Sequence, residues 1–415
     1  MKKYIQLMVI MLSLFVLGGC TKNGQQSTIE NSVDQTRVIK ETTQNVRENS
    51  QQHLESSNSE ESSENTVDTA VTEMRLIAVG DNLMHRSVSL SGQQADGSWN
   101  YTRNFENVAP LVQQADIAVI NQECVMGGLE LGIQNYPLLN TGTEVGSFIV
   151  NAGFDVVLAA NNHILDQNYV GVHNMMNYWR TTYPQIPVLG VHESQEEQNT
   201  ITVMESHGIK LALLNYTYDT NTHDALQGRP WLVDYIDKER MASDIAKAKE
   251  MADFVVVFPH WGEEYVFADI TDEQRELTAF FAEQGVDLVI GAHPHVVEPV
   301  QFVEREGDRP MLVYYSLGNF QSIQYKTETM LGGLADVTIR KDGSGTYIVA
   351  HSLKTLVTHF QNTNPSCGYF DFVTTYLWEQ YTPELAAQHD IRFQDSTFSY
   401  ERLVQLQQQI MSTVQ

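Results

Sequence analysis

Cysteine, positive charge and long apolar runs are all scarce in this chain of 415 residues. Its three cysteines, Cys20, Cys124 and Cys367, cannot build a disulfide framework for a body of this size. Whether Cys124 and Cys367 pair is left open at this level. Lys and Arg number 25 against 52 Asp and Glu, a formal net charge of −27. That balance argues against a binding surface for nucleic acid or for an anionic membrane. A polyanionic partner would have to be held by bound cations or by a local basic patch. The longest apolar run, residues 4–17, is too short for an ordinary transmembrane helix, and no other stretch is long enough to span a bilayer.

The apolar run follows the charged Met1-Lys2-Lys3 and ends in Leu17-Gly18-Gly19-Cys20. That ending resembles the bacterial lipobox, which implies a lipoprotein signal peptide over residues 1–20 and lipidation of Cys20. The expected location is the extracytoplasmic face of the cell membrane, held by a lipid anchor. Residues 21–73 are rich in Ser, Gln, Asn, Thr and Glu, with no proline and Gly24 as the only glycine. Such a stretch cannot bury enough apolar surface to offset its ordering entropy, so it is expected to be a disordered tether with a reach of roughly 40 Å.

Residues 74–415 carry the folded body, read as one large α/β domain with a helical tail from Pro383. Its first half alternates short apolar runs with helical patterns, as parallel βαβ units do, and the later part turns hairpin-rich around Asp342-Gly343. Strands are expected at 74–80, 116–120, 154–159, 199–204, 210–216, 254–258, 287–290, 300–303, 311–315, 333–340 and 347–353. Helices are expected near 105–114, 143–152, 169–178, 234–251 and 271–284.

Five of these strands end in donors for a hard or borderline cation. The donors are Asp81 and His85, then Glu123, then Asn162 and His163, then His260, then His293 and His295. Ligand sites of open α/β sheets gather at strand ends. Pro294 stiffens the loop between the last two histidines, and an extended segment would turn both to one side. The mixture of imidazole with carboxylate oxygen suits Zn, Mn or Fe rather than Ca. About eight donors are too many for one catalytic ion and suit two divalent metal ions sharing a carboxylate. Each residue has a plainer alternative, such as a helix cap for Asp81 or a turn for Asn162, but five coincidences are required.

Six segments carry a resemblance to a known family: Val79-Gly80-Asp81, Asn121-Gln122-Glu123, Ala160 to Asp166, His260 to Tyr265, Gly291 to His295, and Tyr315 to Phe320. In this order they resemble the signature blocks of the CapA (PgsA) poly-γ-glutamate capsule-synthesis family, itself related to the calcineurin-like metallophosphoesterases. The resemblance implies a four-layer α/β/β/α sandwich of the metallophosphoesterase type with a dinuclear site. It implies Asp81, His85 and His295 on one metal, Glu123 as the bridge, and Asn162, His260 and His293 on the other. His163, oriented by Asp166, would donate a proton or stabilise an oxyanion. Trp261, Glu264 and Asn319, inside the matching segments, are assigned to substrate binding. Tyr265, Tyr315 and Phe320 are further aromatic candidates, against the commoner role of core packing. Three departures are visible. Three residues rather than one separate Asp81 from His85, the bridge is a glutamate, and Ala292 stands between Gly291 and His293.

Two functions follow. One is a metal-dependent hydrolase in poly-γ-glutamate capsule biosynthesis or processing, acting on a phosphoester or on the γ-glutamyl polymer. The alternative is a non-catalytic accessory or polymer-binding subunit beside membrane synthase or export subunits. A third, a lipoprotein binding an unrelated small ligand, leaves the donor set without a purpose.

Overall fold

The computed structural model describes residues 71–222, 226 and 228–415. The expected signal peptide, Cys20 and nearly all of the tether lie outside these residues. Thr72 and Glu73, assigned to the tether, instead begin the first strand.

The strands are β1 (Thr72–Asn82), β2 (Ile117–Asn121), β3 (Val156–Leu158), β4 (Val188–Leu189), β5 (Thr202–Ser206), β6 (Ile209–Thr217) and β7 (Phe254–His260). They continue as β8 (Leu288–Ile290), β9 (Val300–Arg305), β10 (Asp308–Tyr314), β11 (Asn319–Gln321), β12 (Leu331–Asp342), β13 (Gly345–Gln361) and β14 (Phe372–Leu377). Among the described residues they make two sheets. The first has 8 strands in the order β14-β13-β12-β1-β2-β3-β4, with β11 paired to the end of β1. The second has 6, in the order β5-β6-β7-β8-β10-β9. β1, β2, β3 and β4 run parallel, as do β6, β7, β8 and β10.

Alternation along the strands of the second sheet sorts its side chains into two cores. Leu211, Leu213, Val256, Phe258, Leu288 and Tyr314 join the large core shared with the first sheet. Their neighbours Ala212, Leu214, Val255, Val257 and Val289 pack outward on Met241, Ile245, Leu277 and Phe281 of the helices Lys238–Met251 and Asp272–Gln284. The helices Val145–Ala152 and Asn168–Thr182 send Val145, Ile149, Val172, Met175 and Trp179 into the large core alongside the first sheet. This is a four-layer α/β/β/α sandwich.

The helix expected near 105–114 is two short pieces, Thr102–Phe105 and Ala109–Val112. Pro110 lies in the first turn of the second piece, where its missing N–H costs nothing, and cannot continue a helix from upstream. Strands β4, β11 and β14 have no counterpart among the expected strands. Two glycines hold the strand ends together by close approach. A Cβ on Gly80 would lie 1.9 Å from the Gly318 carbonyl oxygen, and one on Gly291 would lie 2.0 Å from that of Tyr315.

Candidate metal centre

β1 and β2 are paired in parallel with Asp81 opposite Asn121, so Asp81 and Glu123 leave adjacent strand ends. The Asn121 side-chain amide donates to Asp81 Oδ1 at 2.8 Å. β7 and β8, in the other sheet, deliver His260 and the loop with His293 and His295 to the same place. Two groups of potential ligand atoms result, each within 4.8 Å of one another: Asp81, Glu123 and His295, and Glu123, His260 and His293. Glu123 belongs to both. The donors therefore come from both sheets and meet across the seam between them.

The chemistry of the pair is set by burial. Glu123 is fully buried, and both of its carboxylate oxygens lack a hydrogen-bond partner among the described residues. Its nearest cationic candidates are His260 Nε2 at 3.5 Å and His295 Nε2 at 3.7 Å, beyond hydrogen-bond range. Burial, and then the nearby Asp81, pushes the Glu123 carboxyl well above the usual carboxylate range. Burial pushes His260 and His293 well below the usual imidazole range, with neighbouring imidazoles adding to the effect. The Nδ1 atoms of both rings are also buried without a hydrogen-bond partner. Neutral imidazoles around an unpaired carboxylate are costly as they stand and favourable around a cation, so these residues fit divalent ions.

The histidine loop departs from the extended backbone expected for it. His293 and His295 both have positive φ, 101° and 59°. That region costs a non-glycine residue about 1–3 kcal/mol. In return His295 Nδ1 reaches Asp81 Oδ2 at 3.0 Å and the His293 N–H points to Asp81 Oδ1 at 3.4 Å.

Asn162 Oδ1 lies 3.0 Å from His260 Nε2 and so sits on the His260 side. His163 Nδ1 is 2.6 Å from Asp166 Oδ2, which also accepts the Leu139 N–H at 2.7 Å. His85 stands apart from both ligand groups. It lines the adjoining cleft, and burial followed by the charges of His295 and His163 pushes it down to about 3. That cleft, of about 460 Å³, is lined by His85, His163, His295, Glu264 and Tyr265 among others.

Two substrate assignments fail. Trp261 is fully buried in the outer core against Phe281, and its indole N–H donates to the Tyr315 carbonyl at 2.8 Å. Residues adjacent in an extended segment point to opposite sides, so placing His260 in the centre turns Trp261 away. Asn319 is buried beside Asp81 in β11, donating to Gln324 Oε1 and the Thr329 carbonyl, and does not line the cleft. Tyr315 and Phe320 are core residues as well, whereas Tyr265 is partly exposed in the cleft.

Tyr218 and Asn221, which follow β6, escaped the sequence reading. The Tyr218 ring is 4.6 Å from that of His293, and the Asn221 amide is 3.1 Å from His163 Nδ1. β6 runs into Tyr218-Asp219, where no site motif had been expected. The available signal was its position next to β7, which aims its loop at the same edge.

Residues 75–324 match the family profile described as "Bacterial capsule synthesis protein PGA_cap". The chain belongs to this family. Its PGA_cap region contains every clustered donor from Asp81 to His295. The chain is 28% identical over 284 residues to the PGA biosynthesis protein CapA of Bacillus subtilis (strain 168), covering 65% of this chain and 69% of that protein. It is 26% identical to the capsule biosynthesis protein CapA of Bacillus anthracis, covering 65% of each. Among solved structures, a calcineurin-like phosphoesterase of Bacillus subtilis aligns with 12% identity and a TM-score of 0.42, covering 69% of this chain and 91% of that one.

Proposed function

We propose that this PGA_cap protein is a metal-dependent phosphoester hydrolase of capsule biosynthesis, loaded with two divalent ions of the Mn, Zn or Fe class. The observation that carries this reading is Glu123, a fully buried carboxylate with two unpartnered oxygens shared by two ligand groups. Asp81 and His295 would hold one ion and His260 and His293 the other, with Glu123 between them and Asn162 on the His260 side. When bound, such a pair neutralises phosphoryl charge and lowers the pKa of a water.

Hydrolysis breaks the bond from phosphorus to the leaving oxygen and forms one from phosphorus to the water oxygen. One proton passes from the water to the leaving oxygen. His163 is the residue to carry it, because Asp166 engages Nδ1 and leaves Nε2 for the exchange. The buried strand ends keep bulk water from the reacting atoms, and His85, held neutral at ordinary pH, adds no charge to the cleft wall. The extracytoplasmic location and the lipid on Cys20 belong to the same proposal and rest on the first twenty residues.

The test is metal analysis of the purified protein together with phosphate release from simple phosphomonoesters. About two ions per chain with turnover is the expected result, and Glu123→Gln should lose most of both. Equal metal in parent and variant would overturn the dinuclear reading.

A further inference from the structure

The surface around the centre has an unusual composition. Among the described residues the exposed tyrosines are Tyr136, Tyr218, Tyr265 and Tyr325. Tyr218 packs on His293, and the other three line the cleft of about 460 Å³. Tyr136 is 72% exposed and Tyr325 53%. Scattered exposed aromatics need no explanation, but here three of the four exposed tyrosines line one cleft beside one cluster of donors. A cleft of this size suits a small molecule, with aromatic walls giving area and a few polar groups giving orientation.

The polar groups narrow the choice. Lys326 is the only Lys or Arg in the lining among the described residues, and its ammonium already sits 3.7 Å over the Tyr265 ring. Glu264 offsets it with a carboxylate, and Asn135 and Gln324 add neutral amides. Apart from ions at the centre itself, a carboxylate-rich chain approaching a protein of net charge −27 would find one cationic side chain along this lining, and that one is engaged. A hydroxyl-rich ring finds a better match. Its C–H face can lie on a tyrosine, and its hydroxyls can bond to amides, carboxylate and phenols around the rim.

We propose that this cleft takes the sugar ring of a sugar phosphate ester, with the phosphoryl group toward His163 and His295. The proposal rests on the hydrolase reading for its chemistry, though not for its binding.

The test uses metal-loaded full chain and two primary alkyl phosphates of similar intrinsic reactivity, glucose 6-phosphate and glycerol 3-phosphate. Adenosine 5′-monophosphate and a γ-glutamyl oligopeptide complete the panel. Glucose 6-phosphate should exceed glycerol 3-phosphate in kcat/KM by about tenfold, and Tyr136→Ala and Tyr325→Ala should each shrink that ratio severalfold. Both side chains are exposed, so neither variant should fail to fold. A ratio near one, a ratio unmoved in both variants, preference for the nucleotide, or cleavage of the peptide would each overturn the proposal. If no phosphoester is turned over, the hydrolase reading fails and calorimetric binding of glucose 6-phosphate decides the sugar site. Binding weakened by both substitutions supports it, and no binding, or binding unmoved by them, overturns it.

Discussion

Two pairs of buried imidazoles lie in this molecule, one at the candidate centre and one among aromatic side chains. His260 and His293 have ring centroids 4.8 Å apart, and His359 and His389 have theirs 4.6 Å apart. Proximity does not separate them, but their surroundings do. The second pair is set among Phe360, Phe372, Tyr376, Tyr381 and Phe398. His359 Nδ1 meets the Tyr381 hydroxyl at 3.0 Å, and His389 Nε2 donates to the Thr358 carbonyl at 3.1 Å. The first pair instead surrounds a carboxylate with unpartnered oxygens and includes a histidine at φ 101°. Buried histidines become a candidate centre when an orphaned charge and a strained backbone accompany them.

The sharpest break of this contrast is at Glu123. In metal-free protein at pH 8, Glu123→Gln should raise stability, because the folded chain then no longer holds a buried, unpartnered carboxyl away from its ordinary ionised state. In metal-loaded protein the same change should lower it. Urea unfolding with and without chelator reads both signs, and no reversal between the two conditions would remove the contrast.

His359→Ala should cost about 2–4 kcal/mol by leaving a cavity among aromatics, with metal per chain unchanged. Metal analysis and a melt on one sample separate the two effects.

Acid sharpens the contrast next. Burial, then the Arg392 charge, pushes His359 down to about 4. The unfolded chain, with histidine near its ordinary 6.5, then binds the proton more readily than the folded one. Stability is intact above pH 6.5 and falls as pH drops from there toward about 4, by roughly 3 kcal/mol from this residue. His359→Gln should flatten that part of the stability–pH curve relative to the parent.

Trp261→Phe should have the smallest effect, about 1–2 kcal/mol for the lost bond to the Tyr315 carbonyl and the gap left by the smaller ring. Metal content and KM should stay at parental values, since the indole faces the outer core.

The donors were legible in the sequence because each ends an apolar run, and parallel strands bring such ends to one edge. Asp81, Glu123, His260 and His293 could be placed on that ground alone. What the sequence hid depends on direction and on loops. Trp261 and Phe320 adjoin site segments and face away from the centre, because alternation sends neighbours to opposite sides. Tyr136 and Tyr325 sit in irregular segments with no period to read, and only the folded chain brings them to one cleft. The positive φ at His293 and His295 was equally hidden, since histidine does not announce that backbone as glycine does. Among the strands, β4 is too short to register, at two residues.

The donors also divide across the seam, with Asp81 and Glu123 rooted in one sheet and His260, His293 and His295 in the other. An ion held there would act as a buckle on the sandwich, tightening the whole fold with the logarithm of the ratio of its free concentration to the dissociation constant. A hundredfold excess adds about 2.7 kcal/mol. Metal supply would then govern how long the chain survives proteases as well as whether it works, and scarcity would show first as a protein that is cut before it is idle.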